Sequence, residues 1–348
     1  MTSRLLRTAL RRSLRQIRYV TPVGSRHATG LVAQVYRQVE RDFGMLAPPI
    51  ALHAAAPLSL AGSWVMLRET LVAPGSVDRR TRERVATAVS LSNNCPYCVT
   101  VHGATVRGIN GESSADLSAE PLTDPAIADI VGWAPLSGST GARPFPAEHT
   151  AELVGVAVCF HYLNRMVNVF LDDSPLPDEI PAAARGAADA FFSRFLGAVA
   201  AKSAEPGTSL ALLPPEPLPS DLRWSAGNTV IASAFARAAA AIDAAALDSV
   251  PEGVVALVDS RLSTWDGQPT GPSRAWAEEA IIGLPASERA AGRLALLTAM
   301  ASYQVDDAVV AEFQRVHRED KTLIEVASWA SMAAARRIGV LKTGQDAR

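Results

Sequence analysis

Apolar residues recur with the period of an α-helix along nearly the whole of this chain. No segment shows the alternation of Val, Ile and Thr between turn residues that is typical of a β-strand, and abundant alanine raises helix propensity almost everywhere. The sequence therefore predicts an all-α fold, with helices at 30–43, 58–71, 78–92, 96–107, 147–171 and 180–201.

Two segments rich in helix-breaking residues interrupt this pattern. Residues 108–146 are rich in Gly, Pro, Ser and Asp, which predicts a long connection with one short helix near 125–133. Residues 203–222 contain a run of prolines that cannot continue a helix. We therefore predict four parts: a basic amphipathic N-terminal arm (1–20), a first helical domain (21–202), a proline-rich linker (203–222) and a second helical domain (223–348).

The N-terminal arm combines basic and apolar residues at helical spacing, and the first acidic residue of the chain is Glu40. Three interpretations compete: an arm docked on the protein's own surface or on a partner subunit, a helix lying on a membrane surface, and an organellar transit peptide. We favour the docked arm. Its two faces carry Arg4, Arg7, Arg11, Arg15 and Arg18 on one side and Leu6, Leu10, Leu14 and Ile17 on the other.

The composition is that of an ordinary soluble globular chain of roughly two domains, with 348 residues, 48% hydrophobic and 20% charged. A formal net charge of -2 lacks the clustered basic excess of nucleic-acid-binding proteins, so no nucleic-acid partner is expected. No run of about eighteen apolar residues is free of charges or helix breakers, so no integral membrane segment is expected. Three cysteines are too few for a secreted disulfide framework, which favours a reducing, cytoplasmic location.

One short stretch contains the residue types that thiol chemistry needs. Cys95 and Cys98 lie at the predicted start of a helix, where Pro96 is tolerated in the first turn and the positive end of the helix favours thiolate. His102 follows Cys98 by four residues and therefore shares its helical face. Glu83 lies on the preceding helix, which an intervening pair of asparagines allows to fold back. The stretch predicts a nucleophile, a base and a carboxylate that orients the base.

The spacing of these residues resembles the core motif of the AhpD-like alkylhydroperoxidases in the carboxymuconolactone decarboxylase superfamily. The motif reads Glu83, eleven residues, Cys95-x-x-Cys98, three residues and His102. Tyr97 is a departure, because better-studied peroxidases of the family carry a second histidine just before the second cysteine. The resemblance covers roughly residues 20–200, including 47–49 and 160–165, and only weakly residues 224–340.

The resemblance implies an all-helical, commonly homo-oligomeric protein and a division of roles. It implies that Cys98 attacks a hydroperoxide substrate, that Cys95 resolves the sulfenic acid into a disulfide, and that Glu83 and His102 relay protons. No bound metal or organic cofactor is expected, and electrons are expected from a dithiol donor such as a lipoyl group or a thioredoxin-like protein. The decarboxylase branch lacks the cysteine pair, so lactone decarboxylation is not expected.

The residues themselves leave two questions open. The helix terminus most directly favours ionisation of Cys95, whereas the spacing to His102 favours Cys98, and we choose Cys98 as the attacking thiolate. The same Cys, Cys, His and Glu set could instead hold zinc, or the cysteines could be inert buried thiols. The alternative to an enzyme is therefore a zinc-stabilised or purely structural helical assembly module without redox turnover.

Other residues that can carry chemistry are expected to be structural. We interpret His161 and Tyr162 as core or helix contacts, Asn164 and Arg165 as ties between helices, and Cys159 as a small buried apolar residue. No partner spacing predicts a role for the four remaining histidines: His27, His53, His149 and His317.

The second half of the chain is interpreted as a degenerate copy of the first. An alignment that places Gly292 on Glu83 puts Gln304, Asp307 and Ala311 at the positions of the two cysteines and the motif histidine. Each reactive position is lost in this copy. We therefore expect the second half to supply packing in place of a second subunit and to carry out no thiol chemistry.

Overall fold

α-Helices build the fold, as predicted. The structure is a computed structural model that describes residues 14–111, 124–135, 143–176 and 180–344. Within these ranges there is no β-strand, and an isolated bridge pairs Ile17 with Leu171. The first half contains α1 (Gly30–Phe43), α2 (Pro48–Ala51), α3 (Pro57–Leu67), α4 (Arg79–Ser92), α5 (Pro96–Asn110), α6 (Pro125–Trp133), α7 (Thr150–Phe170) and α8 (Ala182–Ala200). The second half contains α9 (Thr229–Ala246), α10 (Glu252–Thr264), α11 (Ala275–Ile281), α12 (Arg289–Ala301), α13 (Asp307–Val316) and α14 (Asp320–Thr343).

Local sequence explains the helix boundaries around the motif. Helix α1 ends at Gly44, whose φ of 75° lies in the left-handed region that glycine adopts without steric cost. The Asp78 carboxylate accepts a hydrogen bond from the backbone N–H of Thr81 and caps α4. Pro96 lies in the first turn of α5. Between α4 and α5, Asn94 has a φ of 50°, and this left-handed residue lets the chain reverse.

A five-residue π-helical turn, Arg68–Val72, continues α3. Side chains bind the backbone groups that the wider turn leaves free. The Arg82 guanidinium donates to the carbonyl oxygens of Thr70 and Ala73, and the Thr70 hydroxyl donates to the carbonyl of Met66. The turn is therefore held by α4, the helix that carries Glu83.

Helices α5 and α8 approach each other closely enough for backbone contact. A Cβ atom at Gly108 would lie 2.0 Å from the carbonyl oxygen of Ser193, and one at Gly197 would lie 2.3 Å from the carbonyl carbon of Gly108. Only glycine fits at both positions, and α8 therefore covers one side of the cysteine-bearing helix.

Helix α7 lies at the centre of the protein. Nearly all of its residues are buried, including Cys159 as predicted, and it packs against α4 and against α14. The hydrophobic core is consequently continuous across both halves of the chain. By length and composition alone, the segment Ala147–Phe170 and helix α9 could cross a membrane. In the most apolar stretch of each, however, 94% of the first and 50% of the second is buried inside the protein. Buried core helices pass the same test, so this is weak evidence for a membrane span.

The second half agrees with the predicted duplication. Helices α12 and α13 occur where the alignment places the counterparts of α4 and α5. Helix α12 packs against α13 and α14, as α4 packs against α5 and α7. These correspondences support a duplicated arrangement within the all-α fold, while the domain boundaries stay predictions.

The described part of the N-terminal arm docks on the protein itself. The backbone N–H of Arg18 donates to the carbonyl of Phe170 at 2.8 Å, and its guanidinium lies 2.6 Å from the carboxylate of Asp307. Ile17 and Val20 are buried. Residues 14–20 therefore bind both halves of the chain, in agreement with the docked-arm interpretation, and residues 1–13 of the predicted arm lie outside the described residues.

The predicted linker also packs against the first half. Glu69 accepts hydrogen bonds from the backbone N–H of Gly207 and from the hydroxyl of Ser209, and Arg68 donates to the carbonyl of Glu205. Short 3-10 turns at Leu210–Leu212 and Ser220–Ser225 interrupt a path that otherwise has no regular secondary structure, and no α-helix occurs between 203 and 222. The prolines exclude a helix here, as the sequence predicts.

Candidate active site

Glu83 and His102 come together as a buried polar pair. Because α4 folds back on α5, Glu83 Oε2 lies 2.6 Å from Nδ1 of His102, while Arg79 Nε donates to Glu83 Oε1 at 2.7 Å. Burial by itself raises the pKa of Glu83, but the Arg79 charge and the two hydrogen-bonding partners outweigh burial and lower this pKa to about 2. Glu83 is therefore a carboxylate at neutral pH.

His102 has one ring nitrogen bound and the other free. The Glu83 carboxylate can only accept a hydrogen bond, so Nδ1 of His102 is the donor. In the neutral ring the proton therefore lies on Nδ1 and the basic lone pair lies on Nε2. Within the described part of the chain, Nε2 makes no hydrogen bond. The ring also packs edge-on against Phe160, with 4.5 Å between centroids, which restricts its rotation. His102 is thus oriented to accept a proton at Nε2.

Cys95 and Cys98 are neighbouring free thiols. Cys95 occupies the N-cap position of α5 and Cys98 lies in the first turn, and their exposed fractions are 1% and 3%. The sequence predicts that the Cys95 sulfur faces the free N–H groups of the helix, but its side chain makes no capping hydrogen bond. It interacts instead with the Cys98 thiol, whose pKa it helps to raise. The two thiols are therefore close neighbours.

The acidity of Cys98 differs from the sequence-based expectation. Burial raises the pKa of the Cys98 thiol well above its ordinary value, and Cys95 raises this pKa further, while a hydrogen bond from Asn164 acts in the opposite direction. The expected acidification by the helix terminus does not hold for Cys98, because desolvation of an almost fully buried sulfur outweighs the partial charge of the helix end. Cys98 is a neutral thiol at rest, and its ionisation requires a base.

Asn164 is a site residue whose contact with sulfur the sequence does not predict. Its Nδ2 donates to Ser90 Oγ at 3.0 Å, its Oδ1 accepts from Asn93 Nδ2 at 3.0 Å, and its side chain also hydrogen-bonds to Cys98. Asn164 therefore ties α7 to α4, as predicted, and also stabilises negative charge on Cys98. No sequence spacing indicates this contact, because it forms only when α7 packs against the motif helices.

A small cavity of about 70 Å³ reaches Cys98 and His102. Both side chains line it, whereas Cys95 does not. Some of its lining residues are only half-buried, among them Phe43 and Phe192. Tyr97 also lines it, and burial raises the pKa of its phenol, so that the ring is neutral. The remaining wall is apolar: Met45, Ala47, Pro48, Pro49, Ile50, Leu67, Val101, Phe160, Leu163, Pro175 and Leu196.

The geometry gives no support to the zinc interpretation. Among the residues that the structure describes, no group of three or more His, Cys, Asp or Glu side chains is arranged to hold a metal ion. Both carboxylate oxygens of Glu83, the expected fourth ligand, are already engaged by Arg79 and His102.

Other polar residues of α7 connect the two halves. The Tyr162 hydroxyl contacts His53 Nε2 at 2.9 Å and Ser328 Oγ at 2.8 Å. Burial lowers the pKa of His53 to about 4, so its ring is neutral in this network. Arg165 Nε donates to the carbonyl of Ala299 at 2.8 Å and ties α7 to α12, as predicted. The bond to His53 is not indicated by any spacing in the sequence.

Comparison with known proteins gives two matches. Residues 60–124, which include the whole motif, match the model of the carboxymuconolactone decarboxylase family. The chain is also 36% identical over 331 residues to alkyl hydroperoxide reductase Rv2159c of Mycobacterium tuberculosis, and the alignment covers 93% of this chain and 94% of that protein. The similarity therefore extends over both halves. No solved structure matches the chain significantly.

Proposed function

The chain belongs to the carboxymuconolactone decarboxylase family, and from this premise we propose that it is a thiol peroxidase that reduces organic hydroperoxides with Cys98 and Cys95. A relative that aligns over both halves is named an alkyl hydroperoxide reductase. The observation that carries the proposal is the shared cavity wall. Cys98 faces the same cavity as His102, and the other nitrogen of that ring bonds to ionised Glu83.

The first step oxidises Cys98. Its thiol transfers a proton to Nε2 of His102, and the thiolate attacks the terminal oxygen of the hydroperoxide. The O–O bond breaks, Cys98 becomes a sulfenic acid, and the alkoxide takes the proton from His102 and leaves as an alcohol. Because burial raises the pKa of Cys98, this step depends on the base. Glu83 assists by stabilising the imidazolium that forms.

The second step forms the disulfide. The Cys95 sulfur attacks the Cys98 sulfur, and the sulfenic oxygen leaves with the Cys95 proton as water. One hydroperoxide is thereby reduced to an alcohol and water while two thiols are oxidised to a disulfide. The interaction between the neighbouring thiols supports this pairing. An external dithiol, for which we propose a lipoyl group or a thioredoxin-like protein, then restores both thiols by exchange.

Cavity access supports Cys98 as the attacking sulfur. Only this member of the pair lines the cavity, and it lies one helical turn from His102. Cys95 needs only to reach its neighbour and therefore fits the resolving role. The almost wholly apolar wall favours hydroperoxides whose organic part is apolar.

The proposal is tested by adding one equivalent of cumene hydroperoxide to the reduced protein and measuring thiol content and intact mass before and after. We expect loss of the Cys95 and Cys98 thiols, a mass decrease of two hydrogens, and a Cys95–Cys98 disulfide in the digested protein. Cys159 is fully buried in α7 and should stay reduced. The variant Cys159→Ser serves as the matched control and should behave like the wild type.

Two further variants separate the roles. Cys98→Ser should consume no hydroperoxide, whereas Cys95→Ser should consume one equivalent and stop at a sulfenic acid that dimedone traps. The reverse pattern would exchange the two roles. Unreactive thiols together with retained zinc in native mass spectrometry would overturn the enzyme proposal in favour of a zinc-stabilised module.

A further inference from the structure

A second cavity of about 210 Å³ lies at the junction of the two halves, and it shares no lining residue with the thiol cavity. Its wall combines His161 and Arg165 of α7 with Trp265 after α10 and Met300 of α12. Asn93, which precedes the motif cysteines, also lines it. The function proposed above uses none of these side chains.

Arg165 is a buried cation without a counterion. Its side chain is almost fully buried, and among the described residues no carboxylate lies within 4.0 Å of the guanidinium. Nε donates to the carbonyl of Ala299 at 2.8 Å and Nη1 to the carbonyl of His161 at 2.6 Å. Nη2 makes no hydrogen bond within the described ranges. Burial lowers the pKa of Arg165 to about 10, so the group remains charged at neutral pH and carries unused donors.

His161 adds a second unused donor. Its Nδ1 lies 3.3 Å from Nη1 of Arg165, and because a guanidinium nitrogen can only donate, Nδ1 accepts. Burial, together with the charges of Arg165 and Lys342, lowers the pKa of His161 well below its ordinary value, so the ring is neutral and its proton lies on Nε2. Nε2 is buried and has no hydrogen-bond partner within the described chain. Both unused polar groups of this wall are therefore donors.

The remaining wall suits an organic body attached to an anion. No Asp or Glu lines the cavity in the described residues, and the Arg165 guanidinium lies 5.8 Å from the centroid of the Trp265 ring. Met300 and Pro269 add apolar surface. One guanidinium and one neutral imidazole donor balance a single negative charge, whereas a dianion would leave one charge uncompensated away from bulk water.

We propose that this cavity is a binding site for a small organic acid, whose carboxylate is held by Nη2 of Arg165 and Nε2 of His161 and whose apolar body packs on Trp265 and Met300. The site is separate from the thiol cavity and requires no thiol chemistry. Asn93 is the point of contact between the two sites, because its side chain bonds to His161 and also to Asn164, the neighbour of Cys98.

Isothermal titration calorimetry with benzoate tests the proposal, with inorganic phosphate as the comparison anion. We expect saturable binding of one benzoate per chain, and Arg165→Gln should weaken it by at least about tenfold because a charge-assisted hydrogen bond is lost. The matched control is Arg237→Gln. Arg237 also donates to backbone carbonyls, those of Leu210 and Leu213, but it lies on α9 outside the cavity.

A second variant guards against misfolding of Arg165→Gln. Met300→Trp leaves the arginine in place and fills the cavity, so it should abolish benzoate binding. Absence of saturable benzoate binding, equal affinity of wild type and Arg165→Gln, or phosphate binding as tight as benzoate would each overturn the proposal. The variant Cys98→Ser should bind benzoate like the wild type, so that failure of the peroxidase proposal and failure of this one are distinguishable.

Discussion

Replacing Glu83 by glutamine removes a buried charge while keeping a hydrogen-bonding side chain of the same shape. The native environment lowers the pKa of this carboxyl from 4.5 to about 2. At about 1.4 kcal/mol per pKa unit, the gap corresponds to about 3 kcal/mol of folding free energy at neutral pH. Because the folded-state pKa is lowered, this stabilisation is complete above pH 4.5 and is lost as the pH falls through about 2.

Urea unfolding of the wild type and Glu83→Gln at two pH values measures this contribution. We expect Glu83→Gln to be less stable by about 3 kcal/mol at about pH 7 and by only about 1 kcal/mol at about pH 3, since most of the carboxylate's advantage is gone there. Cys98→Ser is the control, because its thiol is neutral at both pH values and its effect should not change with pH. A destabilisation by Glu83→Gln that is equal at both pH values would refute the assignment of a buried carboxylate.

Three further predictions concern the same region. Gly108→Ala should destabilise the protein by at least about 1 to 3 kcal/mol in thermal or urea unfolding, because its Cβ would lie 2.0 Å from a carbonyl of α8, whereas Gly186→Ala, with open space around it, should stabilise by up to about 1 kcal/mol. His102→Gln should slow peroxide consumption in stopped-flow assays by about 10²-fold or more, with folding retained by circular dichroism. Asn164→Ala should raise the pKa of Cys98 further, seen as an upward shift in the pH profile of its alkylation by iodoacetamide.

Helix positions were predictable wherever the decisive signal is local. The bounds of α1 coincide with the prediction because Gly44 ends the helix, and Asp78, where the sequence predicts that α4 begins, caps that helix. The π-helical turn Arg68–Val72 was not predicted, since its wider hydrogen-bonding pattern depends on Arg82 of another helix. Local rules specify where helices begin and end, and tertiary contacts decide how an individual turn is wound.

For the candidate site too, local spacing was predictable from the sequence and tertiary contacts were not. The four-residue spacing of Cys98 and His102 indicates a shared helical face, and the return of α4 brings Glu83 to the histidine. Burial was not predictable from spacing, and it reverses the expected acidity of Cys98. Asn164 reaches the sulfur only through packing of α7, a helix far along the chain. Sequence patterns thus identify reactive residues, while their protonation depends on the surrounding core.

In the second half, other residues occupy the positions that the predicted alignment matches with the reactive residues of the first. Under the predicted alignment, Gly292 stands at the position of Glu83, and a Cβ there would lie 2.5 Å from Leu284, so the space of a carboxylate is filled by core. Gln304, at a cysteine position, donates to the carbonyl of Gly271 at 2.6 Å. Asp307, at the other cysteine position, accepts from the arginine of the N-terminal arm at 2.6 Å. Three of the four aligned positions thus make a packing or docking contact in place of a reactive group, and Ala311, at the position of His102, is exposed. This half can therefore support the first without sharing its chemistry.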